Sequence, residues 1–170
     1  MRISTRLRWI TWVIFLVLGI LLSLITDFLL KKSGFVFKFS IAGRLIGLLL
    51  IFISSLIARN TGKTLKRYGI IGKVPKFETN KLVRKGIYSC MRHPMHFGLM
   101  LLPEGIAFLM DSFSYIFIYA PLNILVIFIL IKKIEEPEAI GKFGDEYIKY
   151  IEEVPFINLS FNCLKKLFTG

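Results

Sequence analysis

Apolar positions along the chain come in long unbroken blocks, and the polar positions gather between them. Four blocks can be read: Trp9 to Leu30, Phe39 to Ala58, Pro94 to Met110, and Tyr115 to Ile131. A helix of roughly 20 apolar residues crosses ~30 Å of hydrocarbon, so each block predicts a transmembrane helix. Only Asp111-Ser112-Phe113-Ser114 separates the last two, which predicts a tight helical hairpin. After Ile131 the pattern changes. Ile140, Phe143, Tyr147, Ile148 and Ile151 recur at helical spacing between Pro137, suited to a first helical turn, and Pro155, which stops the helix. This predicts one amphipathic C-terminal helix lying against the mouth of the bundle.

Composition sharpens the class. Of 170 residues, 55% are hydrophobic, 20% are charged and 16 are Phe, with a mean hydropathy of +0.65. A water-soluble core of this size cannot hide that much apolar surface, and disordered chains have the opposite composition. The expectation is an all-α polytopic membrane bundle of about four transmembrane helices plus the C-terminal helix. It forms one membrane domain over 1–170, divided as 1–58, 59–93, 94–131 and 132–170. Met1 to Arg8 is basic like the start of a signal peptide, but the apolar run after it is long and lacks a small-residue cleavage site, so it reads as a retained anchor. Cys90 and Cys163, far apart in sequence, are expected to remain unpaired.

The net charge of +12 would suggest nucleic acid if it lay on a soluble surface. Here the basic residues flank apolar blocks, where they face anionic lipid, and no nucleic-acid partner is expected. Ten Lys and Arg fall between Arg59 and Arg92, six lie beyond Ile131, and the loop after Met110 has none. The positive-inside rule puts the long basic segment and the C-terminus in the cytoplasm, and four spans return the N-terminus, with Arg2, Arg6 and Arg8, to the same side. Lys31, Lys32 and Lys38 oppose this weakly. The basic segment, with four Gly and Pro75, is expected to begin as an extension of the second helix and become loop.

Candidate chemistry is concentrated in two places. Both His of the chain lie in Arg92-His93-Pro94-Met95-His96-Phe97-Gly98, where Pro94 starts the third span and leaves backbone N–H groups unsatisfied, an end that attracts anions. Glu135 and Glu136 end the fourth span. Hairpin geometry should bring these two corners together around one pocket. Taken singly, each motif also has an ordinary reading, as interfacial or solvated residues at helix ends.

Together, Gly86-Ile87-Tyr88-Ser89-Cys90-Met91-Arg92-His93-Pro94-Met95-His96-Phe97-Gly98, the hairpin, Glu135-Glu136-Pro137, Phe143-Gly144-Asp145-Glu146-Tyr147 and Val154-Pro155 resemble the isoprenylcysteine carboxyl methyltransferase and phospholipid methyltransferase superfamily. The resemblance covers about residues 76–157. It implies binding of S-adenosylmethionine at the cytoplasmic end of the bundle and a lipid-like methyl acceptor arriving from the bilayer. By the same resemblance, Asn80, Lys81, Leu82 and Val83 contribute to the cofactor site together with Tyr88, the element His93-Pro94-Met95-His96, and Glu135. Arg92 and Glu136 adjoin them. The chain departs from the family at position 96, where the usual residue is Tyr.

The residues suit this chemistry. Glu135 can hold the cofactor's ammonium or ribose diol, the helix start at Pro94 its carboxylate, and the Tyr88 ring its sulfonium, while Leu82 and Val83 can cover the adenine. In-line transfer to a carboxylate, the favoured acceptor, needs orientation more than acid or base. An amine acceptor must lose a proton, for which His93 or His96 could serve. Glu104 and Arg44 are intramembrane charges and so candidates in their own right. His96, Met100 and Glu104 form a stripe that could line an acceptor tunnel, and an Arg44–Glu104 ion pair is the structural alternative. Two His are too few for a membrane di-iron oxygenase, so no metal is expected. The chain is shorter than the sterol-reductase-like enzymes that resemble the same half, and a non-catalytic membrane subunit retaining a nucleoside pocket is the remaining rival. Oligomeric state is not legible.

Overall fold

The computed structural model describes residues 5–73 and 79–169; Arg2 and Pro75, named above, lie outside them. The chain is 78% helical, with no strand among the described residues. The helices among the described residues are α1 (Thr5–Lys32), α2 (Ile41–Tyr68), α3 (Pro94–Leu109), α4 (Tyr115–Phe143), α5 (Asp145–Glu153) and α6 (Phe161–Thr169), with a 3-10 turn at Gly86–Ser89. Three of them, α1, α2 and α4, are long and apolar enough to cross a membrane. Helix α3 is equally apolar, but its 16 residues rise only about 24 Å. The apolar side chains of α1, the first half of α2 and α4 through Ile129 are largely exposed, as lipid-facing surfaces must be.

The chain divides into two compact units, one of residues 1–54 and 99–129, the other of residues 55–98 and 130–170. In the first, helices meet where side chains are small. A Cβ on Gly47 would lie 2.7 Å from the Gly105 carbonyl oxygen, and one on Gly19 would lie 2.9 Å from Asn123 Nδ2. In lipid, where apolar contact alone does not drive helices together, such close approach is the main source of packing energy. Polar contacts fix the register. Thr26 Oγ1 and Tyr119 OH are 2.9 Å apart, and the Asp27 carboxylate accepts from Ser112 Oγ and from the Ser114 N–H.

The expected α3–α4 turn forms over Met110–Ser114, with Asp111 in the left-handed region at φ 54°. That conformation turns its carboxylate to accept from the Phe39 N–H at 2.9 Å and from Arg44 Nη2 at 2.7 Å. The anticipated Arg44–Glu104 pair is therefore replaced by Arg44–Asp111. The turn acid competes successfully because it already has a backbone donor and lies at a helix end instead of in mid-span.

The second unit corrects two further expectations. The single C-terminal helix is two, because Gly144, at φ 58° and ψ −138°, takes a conformation closed to residues with a Cβ and starts α5 in a new register. Tyr147, Tyr150 and Val154 consequently form the buried cluster, packed by Leu82, Phe143 and Ile151, whereas Ile140 and Ile148 of the predicted stripe are exposed. The cysteines, expected to be unpaired, form a disulfide, Cys90–Cys163. It ties α6 to the 3-10 turn, where Lys166 Nζ also donates to Ser89 Oγ at 2.9 Å. Asn60 Nδ2 of α2 donates to the last carbonyls of α6, at 3.0 Å to Leu167 and 3.1 Å to Phe168. Helix α6 has a sequence signal that the apolar blocks overshadowed: Ser160 stands as a cap before Phe161, Leu164 and Leu167. As expected, the basic segment continues α2 to Tyr68 and then becomes loop.

Candidate functional site

A cavity of about 180 Å³ in the second unit is lined by Leu65, Tyr88, Arg92, His93, Pro94, Met95, His96 and Glu135. The 3-10 turn supplies Tyr88, the start of α3 supplies the Arg-His-Pro corner, and α4 supplies the acid. At the first of the two acids, α4 widens into a π-helical turn over Ile131–Glu135, a local under-winding that is frequent at functional sites.

The two corners anticipated from sequence do meet, and each glutamate takes one histidine. Glu136, only 6% exposed, is the hub of a buried knot. Its Oε1 accepts from Arg92 Nη2 at 2.9 Å and Nε at 3.2 Å, Lys132 Nζ reaches Oε2 at 2.8 Å, and His93 Nε2 lies 3.2 Å from Oε1. Arg92 Nη1 also donates to the carbonyls of Ile151 and Val154 at the end of α5, at 3.0 and 2.6 Å. Such density of partners is what a carboxylate needs to stay charged away from water. His93 is packed beside the Phe156 ring, and burial holds its pKa below the ordinary value despite the bond to Glu136.

Glu135 and His96 sit in a different setting. His96 Nε2 is 3.2 Å from Glu135 Oε1, and both side chains keep about a quarter of their surface, 23% and 25%. The Tyr88 ring is buried on the same cavity and its phenol pKa is pushed up by burial. Its carbonyl accepts from Tyr150 OH at 2.6 Å, which ties the turn to the tyrosine cluster.

The other sequence candidates lie elsewhere. Asn80 closes its own loop, accepting from the Ile71 N–H at 2.8 Å and donating to the Ile71 carbonyl at 2.6 Å. Lys81 is exposed, Leu82 packs on the tyrosine cluster, and Val83 is buried. None of the four lines the cavity. Glu104 belongs to the first unit. Leu65 lines the cavity without having been singled out, because nothing in its sequence neighbourhood marks one leucine of α2 above the others. Donor atoms of His93, His96 and Glu135 all lie within 4.8 Å of one another, a grouping that the count of two His in the sequence did not anticipate.

The donor set does fit the cofactor that the resemblance implies: a partly exposed carboxylate, a helix start, an aromatic ring, and Leu65 and Met95 as apolar walls. Comparison with known proteins bears on the same residues. No curated protein matches the chain. The sequence profile of the phospholipid methyltransferase family matches residues 42–146, a stretch that holds every cavity-lining residue and more than half of the chain. A membrane chain of three long apolar helices with this match belongs to the phospholipid methyltransferase family.

Proposed function

We propose that this membrane methyltransferase uses S-adenosylmethionine and acts on a lipid-like acceptor taken from the bilayer. The observation that carries the reading is the convergence of the α3 start, Tyr88 and Glu135 on one cavity in a member of this family. Bound there, the cofactor supplies an electrophilic methyl group on a sulfonium. Glu135 would hold its ammonium or ribose diol, the free N–H groups after Pro94 its carboxylate, and Tyr88 would lay a buried ring against the positive sulfur. The chain contributes orientation and exclusion of water, the main levers for a displacement of this kind.

In the topology that goes with this reading, α3 completes a fourth span, and the site and both termini face the cytoplasm, on the side favoured by the ten basic residues of Arg59–Arg92. A carboxylate acceptor of the prenylcysteine type reacts without giving up a proton. A phospholipid amine must lose one, and the His96–Glu135 contact favours that second reading. The test is incubation of purified protein with methyl-labelled cofactor and membrane lipid extract, followed by mass spectrometry of the labelled product. Glu135→Ala should weaken cofactor binding by roughly 1.5 to 3 kcal/mol, the worth of a charge-assisted hydrogen bond. An unchanged dissociation constant would remove Glu135 from the site.

A further inference from the structure

The two histidines of the site are three residues apart, with ring centroids separated by 5.8 Å, yet they are not equivalent. His93 points Nε2 into the Glu136 knot, is buried, and is held against protonation by that burial. Tyr88 is a poor proton acceptor for the same reason, since it would have to exist as a buried phenolate. Glu136 has Arg92, Lys132 and His93 on its two oxygens. His96 differs from all three. Its Nε2 faces Glu135 Oε1 at 3.2 Å, it lines the cavity, and it is 23% exposed. Apart from Glu135 and the edge contact with His93, it has no polar or ring partner among the described residues. With the Nε2 proton given to Glu135, the lone pair is on Nδ1. A carboxylate that fixes the tautomer of an imidazole and steadies its protonated form is the arrangement that makes histidine an effective general base. The charged and titratable groups around it are Tyr88 of the 3-10 turn, Arg92 and His93 before α3, and Lys132, Glu135 and Glu136 of α4.

We infer that the His96–Glu135 couple is the proton acceptor of the reaction, and that the methyl acceptor therefore carries a proton on its attacking atom, as an ammonium or a phenol does and a carboxylate does not. This rests on the methyl-transfer reading above. In the step, the attacking nitrogen or oxygen gives its proton to Nδ1. The electron pair so freed forms the bond to the methyl carbon while the carbon–sulfur bond breaks and leaves its pair on sulfur. The proton on the imidazolium then passes to water at the exposed edge of the ring.

The test uses the full chain in lipid nanodiscs with methyl-labelled S-adenosylmethionine and three separate lipids: an aminophospholipid, a long-chain phenol and a prenylated carboxylate. Label should enter the amine or the phenol, which tells the two sources apart, with kcat falling as pH drops. His96→Gln should lower kcat at least ~100-fold, as loss of general-base catalysis does, and KM much less. Its remaining rate should rise with pH as the acceptor sheds its proton unaided. In His96→Ala, added imidazole should restore part of kcat, an effect that a merely structural role would not show. Labelling of the carboxylate alone, or a pH profile that His96→Gln leaves unchanged, overturns the proposal while the methyl-transfer reading stands. Wild-type protein that binds no cofactor in titration calorimetry and labels none of the lipids overturns both.

Discussion

Glu135 and Glu136 are adjacent in sequence and each meets a histidine of the same helix start, but they belong to regions with opposite physics. Around Glu136, charge is buried and fully partnered, by Arg92, Lys132 and His93. Around Glu135, the His96 imidazole lines the same cavity, and both side chains are partly exposed. A buried charge with a full set of partners has no capacity left for a ligand, and removing one partner strands the others. A pair that keeps about a quarter of its surface can exchange partners and protons at lower cost. The contrast suits Glu136 to holding the corner together and, on the function proposed above, Glu135 to the chemistry.

Breaking the buried region should have the largest effect. Glu136→Ala leaves the Arg92 guanidinium without its counter-charge among the carbonyls of Ile151 and Val154, and should cost about 3 to 5 kcal/mol. Denaturant titration in detergent would read this as a lower midpoint at unchanged slope, whereas Glu135→Ala should move the midpoint little and the cofactor affinity much. If the two variants are equally stable, the comparison fails.

Next comes the covalent tie on the same unit. Reduction of Cys90–Cys163, or Cys90→Ser, should lower stability by roughly 2 to 4 kcal/mol, because the bond closes a long loop. Thermal melts with and without reductant would show it, and Cys90→Ser should abolish the difference.

The titration of His93 should give a smaller and graded effect. Burial lowers its pKa, so in the acid range the unfolded chain takes up a proton that the folded chain refuses. Stability should therefore be full above the ordinary His pKa and decline as pH falls below about 6.5, by no more than about 1.4 kcal/mol per pH unit. Melts between pH 7 and 5 should show a slope that His93→Gln flattens.

The smallest effect should come from a rim pair. Arg84 donates to Glu153, but Glu153 is 57% exposed, so Glu153→Gln should change stability by less than about 1 kcal/mol. A loss comparable to that of Glu136→Ala would mean that exposure is not what separates the two glutamates of the corner.

The positions of the long helices, the hairpin turn and the pairing of the Arg-His-Pro corner with the two acids were legible because each depends on local pattern: apolar run length, a proline at a helix start, a short polar break. Which acid served which histidine was not legible. Glu135 and Glu136 differ by one position, about 100° around the helix, and the π-helical turn at Ile131–Glu135 determines which of them is buried. The contacts of Asn80 and Leu82 were likewise hidden, since their partners, Ile71 and the Tyr147–Tyr150 cluster, come from the loop after α2 and from α5.

By itself, the sequence determined that this is an all-helical membrane chain, because lipid admits only helices or closed barrels and long uncharged runs cannot stay in water. Tertiary structure decided the break at Gly144, the Cys90–Cys163 tie, the choice of Asp111 over Glu104 by Arg44, and the sorting of the two glutamates. Each of these turns on the distance between residues remote in the chain, or on a backbone conformation that burial elsewhere selects, and no local pattern records either.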